Sequence, residues 1–297
     1  MRFAVLGTGF WARTVHAASL AGHPDADLVG IWGRDATKAD AAGAEFDVPG
    51  STDLDAVLAS CDAVSIAVPP DVQVPLAVAA ADAGKHLLLE KPLALTPADA
   101  DRVLAAVRAS GVASVVLFTD RFRTATATWL QEAARAPLAG GSLSWLGSIA
   151  GSPFDHSPWR HEHGALWDIG PHALALLTPA LGAVVGVQAT AGLGDTVHLV
   201  LQHDGGAAST VTVSATVAPL SGGIEVFVHG DAGRLVLLPD RESSATAAHA
   251  VAVQELQAAA LTGGAHPCDA AFARDITVVL AAAQRALASG RRETVGA

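Results

Sequence analysis

The chain has 297 residues, of which 51% are hydrophobic, and its formal net charge is −11. That much apolar material excludes a disordered chain. The acidity, with no cluster of Lys and Arg against it, excludes a nucleic-acid partner, and the length suits two domains.

The first 120 residues alternate strands and helices. Residues 2–6 read as a strand, 10–21 as a helix, 28–32 as a strand, and 36–45 and 53–59 as helices. A strand over 63–68 ends at Pro69-Pro70, and a helix over 72–83 is closed by Gly84. Residues 86–90 form a strand and 113–118 another, with a helix over 96–109 between them. Thr96-Pro97 supplies the cap and first position of that helix, and Gly111 its end. This order implies βαβ units and a parallel sheet covered on both faces.

Beyond residue 120 the strand-like runs are 197–203, 209–216, 223–228 and 234–238, several of them rich in Val and Thr. Gly-rich turns separate them, which predicts a mainly antiparallel sheet. A single helix over 269–289 is expected to close the chain. The predicted fold is α/β: a doubly wound parallel Rossmann sheet over 1–119, then an α+β domain with a large, open, mainly antiparallel sheet over 120–297. One helix cannot cover such a sheet. An apolar face is therefore expected to remain exposed and to build a homodimer or larger homo-oligomer.

The chemistry begins at Gly7-Thr8-Gly9-Phe10-Trp11-Ala12, a G-x-G-x-x-A pattern after a strand and opening a helix. Gly7 allows the tight turn, Gly9 lets the backbone approach a pyrophosphate, and Ala12 permits close helix–sheet packing. This predicts dinucleotide binding by the loop that includes Thr8, Phe10 and Trp11. The second strand ends Ile31-Trp32-Gly33-Arg34-Asp35, with no carboxylate before Asp35. Arg34 can pair with a 2′-phosphate, which favours NADP over NAD; Asp35, if turned inward, would serve NAD instead.

Asp62-Ala-Val-Ser-Ile-Ala-Val-Pro-Pro70, followed by Gly84-Lys85-His86-Leu-Leu-Leu-Glu90-Lys91-Pro92, resembles the glucose–fructose oxidoreductase/inositol dehydrogenase/rhizopine catabolism (Gfo/Idh/MocA) family of NAD(P)-dependent oxidoreductases. Trp159-Arg160 and Gly164-Ala-Leu-Trp-Asp168-Ile-Gly-Pro-His172 resemble its second signature. His229-Gly-Asp-Ala-Gly-Arg-Leu235 and Ala265-His-Pro-Cys-Asp269 resemble its late segments. The likeness covers nearly the whole chain. The chain departs from the family in keeping only Gly164 where three glycines are common, and in having Gln73 where a His is usual. The resemblance implies that Pro69, Gln73, Glu90 and Lys91 lie at the cofactor beside the glycine loop. It further implies that Lys91 faces the substrate oxygen, that His172 is an acid/base, and that Asp168 orients His172 or a substrate hydroxyl. Asp168 and His172, four apart, share a helix face. Pro171 is tolerated only in a first helical turn, so that helix is expected to begin near Asp168, at an exposed end.

The leading expectation is an NADP-dependent oxidoreductase acting on a sugar, cyclitol or related polyhydroxylated alcohol or ketone. The alternatives are an oxidoreductase of a non-sugar substrate (an imine, an aromatic diol or a linear tetrapyrrole) and a cofactor-sensing regulator without turnover. His156, His161 and His163 lack the spacing and cysteine partners of a metal site, so none is expected. Cys61 and Cys268 are too few for a disulfide framework and are expected as buried thiols. The apolar run over 2–6 is too short for a signal peptide, and 173–187 is broken by Pro179, Gly182 and Gly186, short of a membrane span. A soluble, cytoplasmic protein is expected. The Lys91–Pro92 bond is expected to be cis.

Overall fold

The computed structural model describes residues 1–135, 137–238, 244–263 and 265–296. The chain divides into two compact units, Met1–Phe122 with Ser243–Arg274, and Arg123–Glu242 with Asp275–Ala297. The first division falls near the expected boundary at 119/120. The second unit does not run on unbroken, however, because a segment ending at Arg274 returns to the first.

In the first unit six strands form one parallel sheet: β1 (Arg2–Leu6), β2 (Asp27–Trp32), β3 (Gly50–Ser51), β4 (Ala63–Ile66), β5 (His86–Glu90) and β6 (Ser114–Leu117). Their order is β3-β2-β1-β4-β5-β6, the doubly wound arrangement with its switch point between β1 and β4. The apolar runs of β1 and β5 are wholly buried, as a sheet covered on both faces requires. The expected helix over 10–21 is present but is not α-helical throughout: Ala12–Ala17 is a π-helix, followed by α1 (Ala18–Ala21). Next come α2 (Ala36–Glu45), α3 (Leu54–Ser60), α4 (Pro70–Asp82) and α5 (Pro97–Ser110). Thr96 caps α5 through the Asp99 amide at 3.1 Å, and Gly111 ends it in the left-handed region at φ 68°.

In the second unit α6 (Thr124–Ala133) precedes β7 (Leu138–Leu146), then α7 (Pro158–Asp168) and α8 (Gly170–Leu181). The strands β8 (Val184–Ala191), β9 (Val197–His203), β10 (Ala208–Ser214), β11 (Gly223–Gly230) and β12 (Gly233–Leu237) follow, and β13 (Glu293–Thr294) comes last. The sheet order is β12-β11-β7-β10-β9-β8-β13, antiparallel except where β7 meets β10. β9 alternates strictly, burying Val197, Leu199 and Leu201 and exposing His198, Val200 and Gln202. The exposed positions also include Thr210 and His229, so this face is mixed in character rather than apolar as expected.

The expectation of one closing helix is corrected. α9 (Ala245–Thr262) precedes α10 (Ala270–Ser289) and packs in the first unit against β5, β6 and α1. Its Ala-rich sequence offers no polar stripe to mark its period. Among the described residues no helix is long and apolar enough to cross a membrane.

Candidate active site

The loop after β1 shows two different demands for glycine. Gly7 has φ +139°, and a Cβ there would lie 2.4 Å from the Ala67 carbonyl oxygen, so the tight turn against the chain after β4 requires it. At Gly9 a Cβ would meet no protein atom within 4 Å. The fold does not need that glycine, whereas a group approaching the backbone from outside does. The residues present therefore fit a dinucleotide pyrophosphate. Phe10 is half exposed beside this opening.

At the tip of β2, a Cβ on Gly33 would sit 2.5 Å from Thr8 Cγ2. Arg34 is exposed, and among the described residues its side chain has no hydrogen-bond or ion-pair partner. Asp35 is occupied as the N-cap of α2, accepting from the Lys38 amide at 3.0 Å.

The turn after β5 is held from below. Gln73, expected at the cofactor, is fully buried in α4, and its amide is committed to the main chain. Nε2 donates to the carbonyls of Glu90 at 2.8 Å, Pro92 at 3.2 Å and Leu93 at 3.2 Å, while Oε1 accepts from the Glu90 amide at 2.8 Å. Gln73 is therefore a clamp on the Glu90–Leu93 turn, and the cofactor-contact expectation for it is withdrawn. Pro69, exposed, caps α4, its carbonyl accepting from the Val72 and Gln73 amides. The Lys91–Pro92 bond is cis, as expected.

Glu90 is also tied to the protein. Its Oε1 accepts from Trp11 Nε1 at 2.7 Å and faces His16 Nε2 at 3.0 Å, and its Oε2 accepts from the Lys91 amide at 3.2 Å. Trp11 thus joins the glycine loop after β1 to the Lys91 turn after β5, across the carboxyl end of the intervening strand β4.

In the second unit a helix does begin near Asp168, as expected: α8 starts at Gly170 with Pro171 in its first turn. Asp168 itself is the last residue of α7, and it is buried, not at an exposed end. α7 is kinked at Gly164, whose φ is 61° and ψ −167°. Asp168 Oδ2 accepts from Arg160 Nε at 3.1 Å. The Arg160 guanidinium lies over the rings of Phe154, at 4.3 Å, and Trp159, at 4.6 Å. His172 is in the first turn of α8, its ring 5.3 Å from that of Trp145. The Trp159-Arg160 pair alone gives Arg160 no role in the sequence, and its bond to Asp168 is visible only in the fold. His161 bonds the Asp155 carbonyl, and His163 packs edge-on to Trp167.

Residues 1–118 match the oxidoreductase family with an NAD-binding Rossmann fold (GFO_IDH_MocA), and residues 138–236 match the GFO/IDH/MocA C-terminal domain. The chain belongs to the Gfo/Idh/MocA family. As a member, it is an NAD(P)-dependent oxidoreductase. One Gfo/Idh/MocA relative, dTDP-3,4-didehydro-2,6-dideoxy-alpha-D-glucose 3-reductase of Streptomyces antibioticus, is 29% identical over 92% of this chain and 85% of its own. A putative myo-inositol dehydrogenase from Sinorhizobium meliloti 1021 superposes with a TM-score of 0.88 at 22% identity, covering 100% of both chains. Levoglucosan dehydrogenase in complex with NADH and L-sorbose superposes with a TM-score of 0.86 at 18% identity, covering 100% of this chain and 99% of that one. At these identities the two structures speak for the fold.

Proposed function

We infer that the chain exchanges a hydride between NADP and a sugar, cyclitol or related polyhydroxylated alcohol or ketone. The observation that carries this reading is the Trp11–Glu90 hydrogen bond, which fastens the glycine loop to the turn bearing Lys91. It ties the residue before Lys91 to the loop whose Gly9 backbone is open to a ligand, which supports a role for Lys91 beside the cofactor. The names of the sugar-acting relatives support the substrate class.

Gly7, Thr8, Gly9, Phe10 and Trp11 would hold the pyrophosphate side of the cofactor, and Arg34 its 2′-phosphate. When bound, the nicotinamide supplies the hydride chemistry. Lys91 stabilises negative charge developing on the substrate oxygen and aligns the hydroxyl. His172 takes or returns the proton at that oxygen. Asp168, held by Arg160, orients His172 or a substrate hydroxyl.

The free Arg34 and the capped Asp35 support NADP; the NADH bound in levoglucosan dehydrogenase keeps NAD in the comparison. Nicotinamide fluorescence across keto-sugars, polyols and cyclitols with both cofactors tests the assignment. Turnover of at least one polyhydroxylated compound, lost in Lys91→Ala, is expected. Binding of cofactor with no turnover of any of them would favour a sensor. The rings of Trp145, Phe154 and Trp159 near the Asp168–His172 segment justify including aromatic diols in the panel.

A further inference from the structure

Beneath the Lys91 turn the first unit buries a chain of polar side chains that the assignments above leave unused. His16, Ser65 and His249 are each wholly inaccessible to solvent. His16 Nδ1 lies 2.8 Å from Ser65 Oγ, and Ser65 Oγ lies 3.0 Å from His249 Nε2. The two imidazoles also touch, with ring centroids 4.4 Å apart. The far end of the chain is Glu90, whose Oε1 faces His16 Nε2 at 3.0 Å and whose Oε2 receives the Lys91 amide.

The donors follow from what each atom faces. A carboxylate accepts, so His16 carries hydrogen on Nε2 and donates to Glu90. Buried His249 Nδ1 has no hydrogen-bond partner among the described residues, so its hydrogen sits on Nε2 and is donated to Ser65 Oγ, which leaves the Ser65 hydrogen for His16 Nδ1. Burial, with the nearby His16 and His23 rings, holds His249 well below the ordinary imidazole range. The hydrogen bonds therefore run one way, from His249 through Ser65 and His16 to Glu90.

The π-helix at Ala12–Ala17 makes this geometry available. Trp11 and His16 are five residues apart, yet both reach the same Glu90 oxygen. On an α-helix, residues five apart point about 140° away from each other. The wider i→i+5 turn brings them to one side, and such turns recur at functional sites.

We propose that His16, Ser65 and His249 are positioning residues: a buried relay that fixes the Glu90 carboxylate and, through it, the main chain at Lys91. The proposal rests on the reading of Lys91 as the group at the reacting oxygen. A buried network that only fastened α9 to the sheet would have no reason to end on the carboxylate that receives the Lys91 amide.

The test has two readouts on the full chain. Hydrogen exchange at the Lys91 amide, followed by NMR, needs no substrate. In Ser65→Ala, which removes one oxygen, exchange at Lys91 should accelerate about tenfold while the amides of β4 and β5 stay protected. With a polyol that wild type turns over, kcat should fall about tenfold and the KM for cofactor should hold. His249→Gln keeps an N–H for Ser65 and should restore both quantities to near wild type, whereas His249→Leu should not. Unchanged Lys91 exchange and kcat in Ser65→Ala, with only α9 losing protection, would overturn the relay. Turnover surviving Lys91→Ala would instead overturn the reading beneath it, and the exchange result would still stand as a measure of the relay.

Discussion

Thr8 and Gly33 exclude one another's bulk: a Cβ on residue 33 would sit 2.5 Å from Thr8 Cγ2. The tip of β2 therefore has no room for an acidic side chain while Thr8 keeps its present rotamer. An acid is the group that would bind a 2′-hydroxyl and repel a 2′-phosphate. Arg34, next in the chain and unpaired among the described residues, takes over the tip. Arg34→Ala should weaken NADP binding by about ten- to a hundredfold and leave NAD binding nearly unchanged. Titration of both proteins with both cofactors checks this; a wild-type preference for NAD would remove the role.

The Arg160–Asp168 pair should be costly to split. Both side chains are largely buried, at 17% and 12% exposure. Arg160→Leu removes the guanidinium from beside the buried Asp168 carboxylate and should destabilise the protein by about 3–5 kcal/mol. Urea unfolding of the variant against wild type measures it, and a midpoint unchanged from wild type would contradict it.

Acid should weaken the fold ahead of any carboxylate titration. His249, His86 and His203 are all held below the ordinary imidazole value, each chiefly by burial. As pH falls below about 6.5 the unfolded chain takes up protons that the native rings refuse. The stability these rings contribute is present above that pH and is lost as pH falls through the lower native values. Melting temperature should drop between pH 7.5 and pH 5. His86→Asn, which keeps an acceptor for the Ala113 amide, should flatten the slope.

Neither thiol should react readily in the native protein. Cys61 and Cys268 are buried, and burial pushes the Cys268 thiol up to about 11. At pH 8 a thiol of that kind is about one-thousandth ionised. A chromogenic disulfide reagent should report almost no thiol until denaturant is added, then two.

The exposed face of the second sheet remains the expected site of self-association, on different grounds from those of the sequence. It carries a hollow of about 380 Å³ lined in part by Ser142, Val200, Thr210 and Phe227. A dimer built there would be held by mixed polar and apolar contacts. Sedimentation should show more than monomer at micromolar concentration, and Thr210→Lys should shift the population toward monomer. A wild-type protein that sediments only as monomer would end this reading.

The first sheet was legible because each of its main strands is a short apolar run ending in a turn signal, and because Thr96-Pro97 and Gly111 punctuate their helix by local chemistry. The π-helix was not legible, since five-residue spacing leaves no separate mark in an Ala-rich segment. β7 hid behind Gly140-Gly141, which reads as a turn. Both glycines are there for close approach: a Cβ on Gly140 would meet the Ala208 carbonyl at 2.4 Å, and one on Gly141 the Phe227 carbonyl at 2.8 Å. Lys91, Asp168 and His172 were readable only through their motifs. Arg160, Ser65 and His249 act through tertiary contacts, and Gln73 was placed at the wrong task because spacing cannot tell a side chain that faces a ligand from one that braces the turn beneath it.

Ser65 and His249 are 184 residues apart, and six of the seven strands of the other unit, β7 to β12, are encoded between them. On the ribosome, the six parallel strands emerge long before the helix that completes their buried polar chain. Ser65 and His16 must wait, half satisfied, while all but the last strand of the second sheet is synthesised. The nucleotide-binding half of the molecule therefore becomes whole only near the end of translation, and a nascent chain released early would carry the glycine loop and Lys91 on an unfinished base.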